Sequence, residues 1–173
     1  MKKNSLVAVY SNHDKAAVAL DTLANKLKIS KDYISVLGKG ENGEPKDTFE
    51  VEKENSDIIF WGEQGAIWGG IFGFLAGGFF AFIPGFGPLV AAGPILSSLV
   101  GALGGAEVLG SLGALVAWLT DLGIEEVQAH EYADYLKNGK IIILVQSESK
   151  DELEKIKKEL EATEPEEIKV YSK

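Results

Sequence analysis

The pattern of apolar and polar positions divides the chain into two alternating ends and an uncharged middle. Short apolar runs bounded by turn residues predict strands, and apolar residues at helical spacing predict helices. The predicted strands are residues 6–10, 33–37, 141–145 and 168–171, and the predicted helices run from about 12 to 28, 125 to 136 and 149 to 160. Residues 41–55 are polar, lack a sustained period and predict a loop.

With the middle set aside, the two ends read as β-α-β followed by β-α-β. This order predicts an α+β fold, a ferredoxin-like βαββαβ sandwich with the middle inserted between its second and third strands. The predicted parts are 1–56, the first half with the polar loop; 57–122, the apolar insertion; and 123–173, the second half. Because both halves must meet in one sheet, the insertion is expected to leave and return on the same side of any membrane.

The middle contains no charged residue from Gln64 to Ala106. About 18 apolar residues are enough for a bilayer span, and this run is more than twice as long. Small residues recur in it at every fourth position, which places them on one face of a helix and allows close helix packing. These predicted packing and oligomerisation positions are Gly65, Gly69, Gly73 and Gly77 in the first half and Gly93, Ser97, Gly101 and Gly105 in the second. We therefore expect a glycine-zipper helical hairpin.

The predicted turn of this hairpin consists of Pro84, Gly85, Phe86, Gly87 and Pro88. The arm before it, from Ile67 to Ile83, is about 17 residues or roughly 26 Å of helix, slightly short of a hydrocarbon core of about 30 Å. Since the turn has no charged side chain, a re-entrant hairpin is favoured over two full spans. Turn amides and carbonyls left in lipid are costly, so we expect copies of the chain to cover one another.

Bulky apolar residues surround the glycine face of the middle segment, among them Trp68, Phe72 and Phe80. A helix that is apolar all round must be enclosed by protein or by lipid. A buried core hairpin of a soluble protein is the alternative, but the polar remainder looks too short to wrap it. Trp61 and Trp118 lie toward the ends of the region, where tryptophan favours the headgroup level of a membrane.

Composition narrows the possible chemistry. The 173 residues carry a net charge of −9, which disfavours nucleic acid as a partner. The absence of cysteine excludes disulfides, thiolate metal sites and cysteine nucleophiles. The first apolar run is too short for a signal peptide, so the amino terminus is expected to stay in the cytoplasm. No phosphate-binding loop or serine elbow is present, and we expect neither catalytic residues nor a cofactor.

Two sets of ionisable residues could in principle bind or conduct ions. Glu107 lies within the larger apolar region, where a carboxylate could line an ion path or mark a helix break. Glu126, His130 and Asp134 share one helix face and could hold a metal ion. A stripe of this kind is more often a solvated face, so no metal site is predicted.

Three stretches resemble a family of bacterial general stress proteins induced by heat or low temperature, whose members are often described as membrane proteins with a glycine-zipper segment. They are LVAVYSNHDKAAVALDTL, WGEQGAIWGGIFGFLAGGFFAFIPGFGPLVAAGP and LGIEEVQAHEYADYLKNGKIIILV. The resemblance covers most of the chain and implies a stress-linked, membrane-associated protein without a defined reaction. It supplies no catalytic residues.

The leading hypothesis is a non-enzymatic stress-response protein that associates with membrane lipid and self-assembles as a homo-oligomer through the hairpin. Its expected location is the bacterial cytoplasmic membrane, with both termini on the cytoplasmic side. Two alternatives stay open: an oligomeric channel or pore lined by Glu107, and a soluble multimer whose hairpins pack in a shared interior.

Overall fold

The fold is built from four helices and six strands in the part of the chain that the structure describes. This structure is a computed structural model, and it describes residues 4–39, 78–83, 87–92 and 112–173. In chain order the elements are β1 (Asn4–Tyr10), α1 (His13–Asp21) with a π-helical turn (Thr22–Lys26), a 3-10 turn (Lys31–Tyr33), β2 (Ile34–Lys39), β3 (Gly78–Ile83), β4 (Gly87–Ala92), α2 (Leu112–Asp121), α3 (Glu126–Lys137), β5 (Ile141–Ser147), α4 (Lys150–Glu161) and β6 (Glu167–Tyr171). The chain is therefore α+β, as predicted.

The described strands form one antiparallel sheet in the order β3-β4-β2-β5-β1-β6. β5 lies between β2 and β1, with Ile143 opposite both Val36 and Ala8. β6 pairs with the other side of β1. All four strands predicted from the two ends of the chain are confirmed, each within two residues of its predicted bounds.

Helices cover both faces of the central strands. On one face, α1 and α4 pack against Leu6, Ala8 and Ile143. On the other face, α2 and α3 pack against Val7 and Ile142. Because alternate residues of β1 and β5 point to opposite helix layers, both strands have continuous apolar runs where helices cover them. The unbroken apolar run Ile141–Val145 thus belongs to a central strand that helices cover on both faces.

The ends of the helices follow local side-chain chemistry. Asn12 caps α1, its side-chain oxygen accepting a hydrogen bond from the Lys15 N–H at 3.0 Å. Ser149 caps α4 in the same way, accepting from the Glu152 N–H at 3.3 Å. Each cap satisfies one of the amide donors that a helix start leaves without a partner. The predicted starts of both helices are confirmed.

The prediction of a helical hairpin is wrong for residues 78–83 and 87–92, which form the paired strands β3 and β4. Only six residues separate Gly77 from Pro84, too few for a stable helix of their own. Each glycine costs a helix about 1 kcal/mol relative to alanine, and a proline costs about 3. The Phe-rich and Val-containing segments between these breakers instead fit a pleated strand. Four-residue glycine spacing was therefore a misleading guide to this part of the middle.

One side of α2, at the end of the apolar region, is buried in the folded unit, so the expectation that Trp118 lies at a membrane headgroup level is wrong. α2 lies against α3 and the sheet, and its Leu115, Trp118 and Leu119 are buried. Trp118 is only 2% exposed, so its ring lies in the protein core rather than at a membrane headgroup level. α3 packs in the same apolar cluster, with a row of buried residues on one side of the helix. These residues are Ala129, Tyr132, Ala133 and Leu136.

Candidate functional site

The first candidate site is the sheet edge at which part of the apolar middle is attached. β4 pairs with β2, with Ala92 opposite Val36 and Leu89 opposite Lys39. β3 pairs with β4 and is the outer strand. Among the described residues, β3 has a strand partner on one side only. An edge strand presents a row of N–H and C=O groups that can pair with another chain.

The two edges of the sheet differ in their sequence chemistry. β3 reads GFFAFI and has no charged residue. β6 reads EIKVY, and its Glu167 and Lys169 form an ion pair at 2.7 Å. Charged residues on an edge strand discourage pairing with other chains, and the absence of charge leaves the edge open to it. The β3 edge is therefore the one whose chemistry favours association.

All eight predicted packing residues lie outside the described residues, as do Glu107 and three residues of the predicted turn. The packing residues are Gly65, Gly69, Gly73, Gly77, Gly93, Ser97, Gly101 and Gly105, and the turn residues are Pro84, Gly85 and Phe86. Gly87 and Pro88 begin β4, where Pro88 lies opposite Phe82 and Gly87 opposite Ile83. The two glycine ladders thus stay a prediction.

The second candidate is a hydrogen-bonded cluster of tyrosines between α3 and β6. The Tyr132 hydroxyl donates to a carboxylate oxygen of Glu167 at 3.1 Å and lies 2.5 Å from the Tyr171 hydroxyl. Either hydroxyl can be the donor in the hydrogen bond between Tyr132 and Tyr171. The Tyr135 hydroxyl is 2.7 Å from Glu131 Oε1 and 3.3 Å from the second oxygen of Glu167. Glu167 therefore joins two residues of α3 to the edge strand.

The surroundings of this cluster keep its phenols protonated. Burial raises the pKa of Tyr132, and its contacts with Tyr171 and Glu167 raise it further. Burial also raises the pKa of Tyr171. The hydrogen bond to Glu131 is the main cause of the raised pKa of Tyr135. A neutral phenol is a hydrogen-bond donor and a weak nucleophile. The arrangement is therefore suited to fastening α3 to β6.

Sequence reasoning did not identify this cluster. Tyr132 and Tyr135 are three residues apart on one helix, which is a detectable signal for a shared face. Glu167 and Tyr171 are far from them along the chain, and only the pairing of β6 with β1 brings them close. Without the strand order, the two halves of the cluster could not be connected.

The stripe on α3 that could have held a metal lies on the exposed side of the helix, where Glu126, His130 and Asp134 are all exposed. The His130 Nδ1 is 2.9 Å from the backbone oxygen of Glu126. Across the described ranges, no group of three histidine, aspartate or glutamate side chains is placed to bind a metal ion.

Comparison with protein-family models, with curated proteins and with solved structures finds no match to this chain. Within the described residues, the helices are either too short or too polar to cross a bilayer.

Proposed function

We propose that this chain is a non-enzymatic, membrane-associated stress-response protein that self-assembles through its apolar middle. The observation that carries the proposal is the attachment of an uncharged segment to a folded α+β unit. β2 ends at Lys39, β4 joins it at the sheet edge, and α2 packs the far end of the apolar region into the core. The folded unit therefore contacts the segment at β4 and at its far end, α2.

A ferredoxin-like core with an insertion is the fold that we propose for this unit. In its support, β2, β5, β1 and β6 are neighbours in that order, and all their pairings are antiparallel. A helix connects β1 to β2, and another connects β5 to β6, on the same face of the sheet. On this proposal β3, β4 and α2 belong to the insertion and α3 belongs to the second half of the unit. α2 and α3 together cover the face that would otherwise be open.

Self-assembly has support from two independent features. The small-residue ladders would let apolar segments of neighbouring copies approach closely, as helices do in lipid. The uncharged edge strand β3 offers backbone groups for association as well. The stress-response part of the proposal depends on the family resemblance of the three quoted stretches, as does the assignment to the bacterial cytoplasmic membrane with cytoplasmic termini.

A soluble multimer is the second candidate, and the strands β3 and β4 favour it. Strands from the apolar middle that join the sheet place that part of the segment beside folded protein. Copies that pack their apolar segments together would enclose them without lipid. The two candidates share self-assembly and differ in whether lipid is a partner.

Cell fractionation combined with light scattering separates these candidates. The full chain is expressed in bacteria, and the lysate is centrifuged without detergent and then washed at high salt. The membrane proposal predicts that the protein stays in the membrane pellet and leaves it only with detergent. A chain recovered in the supernatant as a defined multimer would refute membrane association and support the second candidate. A supernatant monomer would refute both.

A further inference from the structure

A groove lies on the α1–α4 face of the sheet, at the junction of three elements. It is bounded by the carboxyl end of β5, the first turn of α4 and the 3-10 turn before β2, and its volume is about 400 Å³. Its apolar lining comes from Ile29, Val145 and Ile156, with Tyr33 as an aromatic wall. The other lining residues are polar, namely Gln146, Ser147, Glu148, Ser149 and Glu152. The volume lies within the range of roughly 300–1,000 Å³ that is typical of small-molecule sites, where polar groups fix the orientation of the ligand.

Tyr33 is held at the wall of this groove while much of its side chain contacts solvent. Its N–H donates to the Ser30 carbonyl oxygen at 3.0 Å, which closes the 3-10 turn. The residue is 48% exposed, whereas Val145 and Ile156 beneath it are 1% and 3% exposed. A half-exposed ring beside a buried apolar floor provides a surface on which an apolar or aromatic group could rest.

The rim of the groove is acidic, and its geometry is fixed. Ser147 Oγ donates to Glu152 Oε2 at 2.5 Å, while the Ser149 N–H donates to Ser147 Oγ at 3.0 Å. The Glu152 carboxylate thus lies close to the amino terminus of α4, and Glu148 adds a second carboxylate to the rim. Negative side chains already complement the positive end of the helix dipole, which leaves the groove unsuited to an anion.

Neither rim carboxylate forms an ion pair with a cation of the described residues, where the ion pairs involve other glutamates. A carboxylate has about four acceptor positions, and Ser147 occupies one of those on Glu152. The rim can therefore accept hydrogen bonds from an ammonium group. Tyr33 lines the same groove, and the face of an aromatic ring attracts positive charge.

We infer that this groove binds a small organic ammonium ion with an apolar or aromatic body. The body lies on Ile29, Val145 and Ile156 beside Tyr33, and the ammonium group contacts Glu148 and Glu152. This inference is independent of self-assembly and of membrane association.

The test uses probes that share a body and differ in charge. Phenethylamine, 2-phenylethanol and phenylacetate are titrated into the full ¹⁵N-labelled chain, and backbone amide shifts of residues 145–152 are followed by NMR. Saturable shifts with phenethylamine, weaker ones with 2-phenylethanol and none with phenylacetate are expected. Equal responses to the amine and the acid, or no response to the amine at millimolar concentration, would overturn the inference.

Variants locate the site. Glu152→Gln keeps an acceptor for Ser147 and should weaken phenethylamine binding about fivefold, the size of a partly exposed charge contact. Tyr33→Ala should weaken it as well, and Val127→Ala, at a residue 78% exposed on α3, should not change it. Unchanged affinity in both Glu152→Gln and Tyr33→Ala would contradict the inference.

Discussion

Replacement of Trp118 by alanine tests whether the end of the apolar region belongs to the folded unit. The residue is 2% exposed and is among the largest fully buried side chains of the described residues. A tryptophan buries roughly 200 Å², which at about 25 cal/mol per Å² corresponds to about 5 kcal/mol. Alanine retains part of that area but leaves a cavity, so we expect a loss of about 3–5 kcal/mol in the free energy of unfolding. Domains of this size are stable by only about 5–15 kcal/mol.

The assay is urea unfolding of the full chain in one fixed detergent, followed by far-ultraviolet circular dichroism. Trp118→Phe leaves a smaller cavity and should lose less stability than Trp118→Ala. It therefore still gives a measurable free energy of unfolding if the alanine variant does not fold. Val127→Ala is the matched control on α3, and at 78% exposure it should change the free energy by less than about 0.5 kcal/mol.

A membrane-anchoring role for Trp118 predicts a different result. A ring at the headgroup level would contribute to lipid binding, and its removal would weaken liposome binding without lowering the free energy of unfolding. If Trp118→Ala unfolds at the same urea concentration as Val127→Ala, the assignment of α2 to the core is refuted.

Three further predictions concern other parts of the fold. Tyr132→Phe removes the donor to Glu167 and should cost about 1–2 kcal/mol in urea unfolding, whereas a cost below 0.3 would show that the cluster does not fasten α3. Burial raises the pKa of Tyr10 to about 12, so its neutral form contributes stability that is present below pH 10 and lost as pH rises toward 12. Tyr10→Phe should therefore make the free energy of unfolding less dependent on pH across that interval, and an unchanged pH dependence would contradict this. Gly123→Ala should cost more than Gly139→Ala in thermal unfolding, because both have positive φ but only at Gly123 would a Cβ approach another side chain, at 3.3 Å; equal costs would refute the contact.

The sequence was a good guide wherever one physical pattern dominated. The strands Leu6–Tyr10 and Ile141–Val145 were predictable because they are apolar at every position and short. The starts of α1 and α4 were predictable because Asn12 and Ser149 are good caps followed by amphipathic residues. Such signals are local, so they do not depend on which elements become neighbours.

The secondary structure of the apolar middle was harder to predict because two sequence patterns overlap there. Glycine spacing between Gly65 and Gly77 indicates a helix face, while Phe79–Ile83 and Leu89–Ala92 have strand-forming residues close to proline and glycine. Residues 78–83 and 87–92 form strands because β4 pairs with β2, and that pairing cannot be predicted from the local sequence. The tyrosine cluster and the groove were hidden for the same reason, since each joins residues that only the sheet order brings together.

The central claim is that the apolar middle drives assembly. The most direct test is the mass of the assembled protein when glycines of the two small-residue ladders are replaced. Gly69→Leu and Gly101→Leu add bulk to the proposed helix-packing face, and Ala106→Leu adds bulk on the side of the second predicted helix opposite its small residues, as a control. Light scattering in mild detergent should give a multiple of the 18.6 kDa chain for the wild type and Ala106→Leu, and a smaller mass for both glycine variants. A wild-type mass of one chain, or glycine variants that assemble like the wild type, would contradict the account.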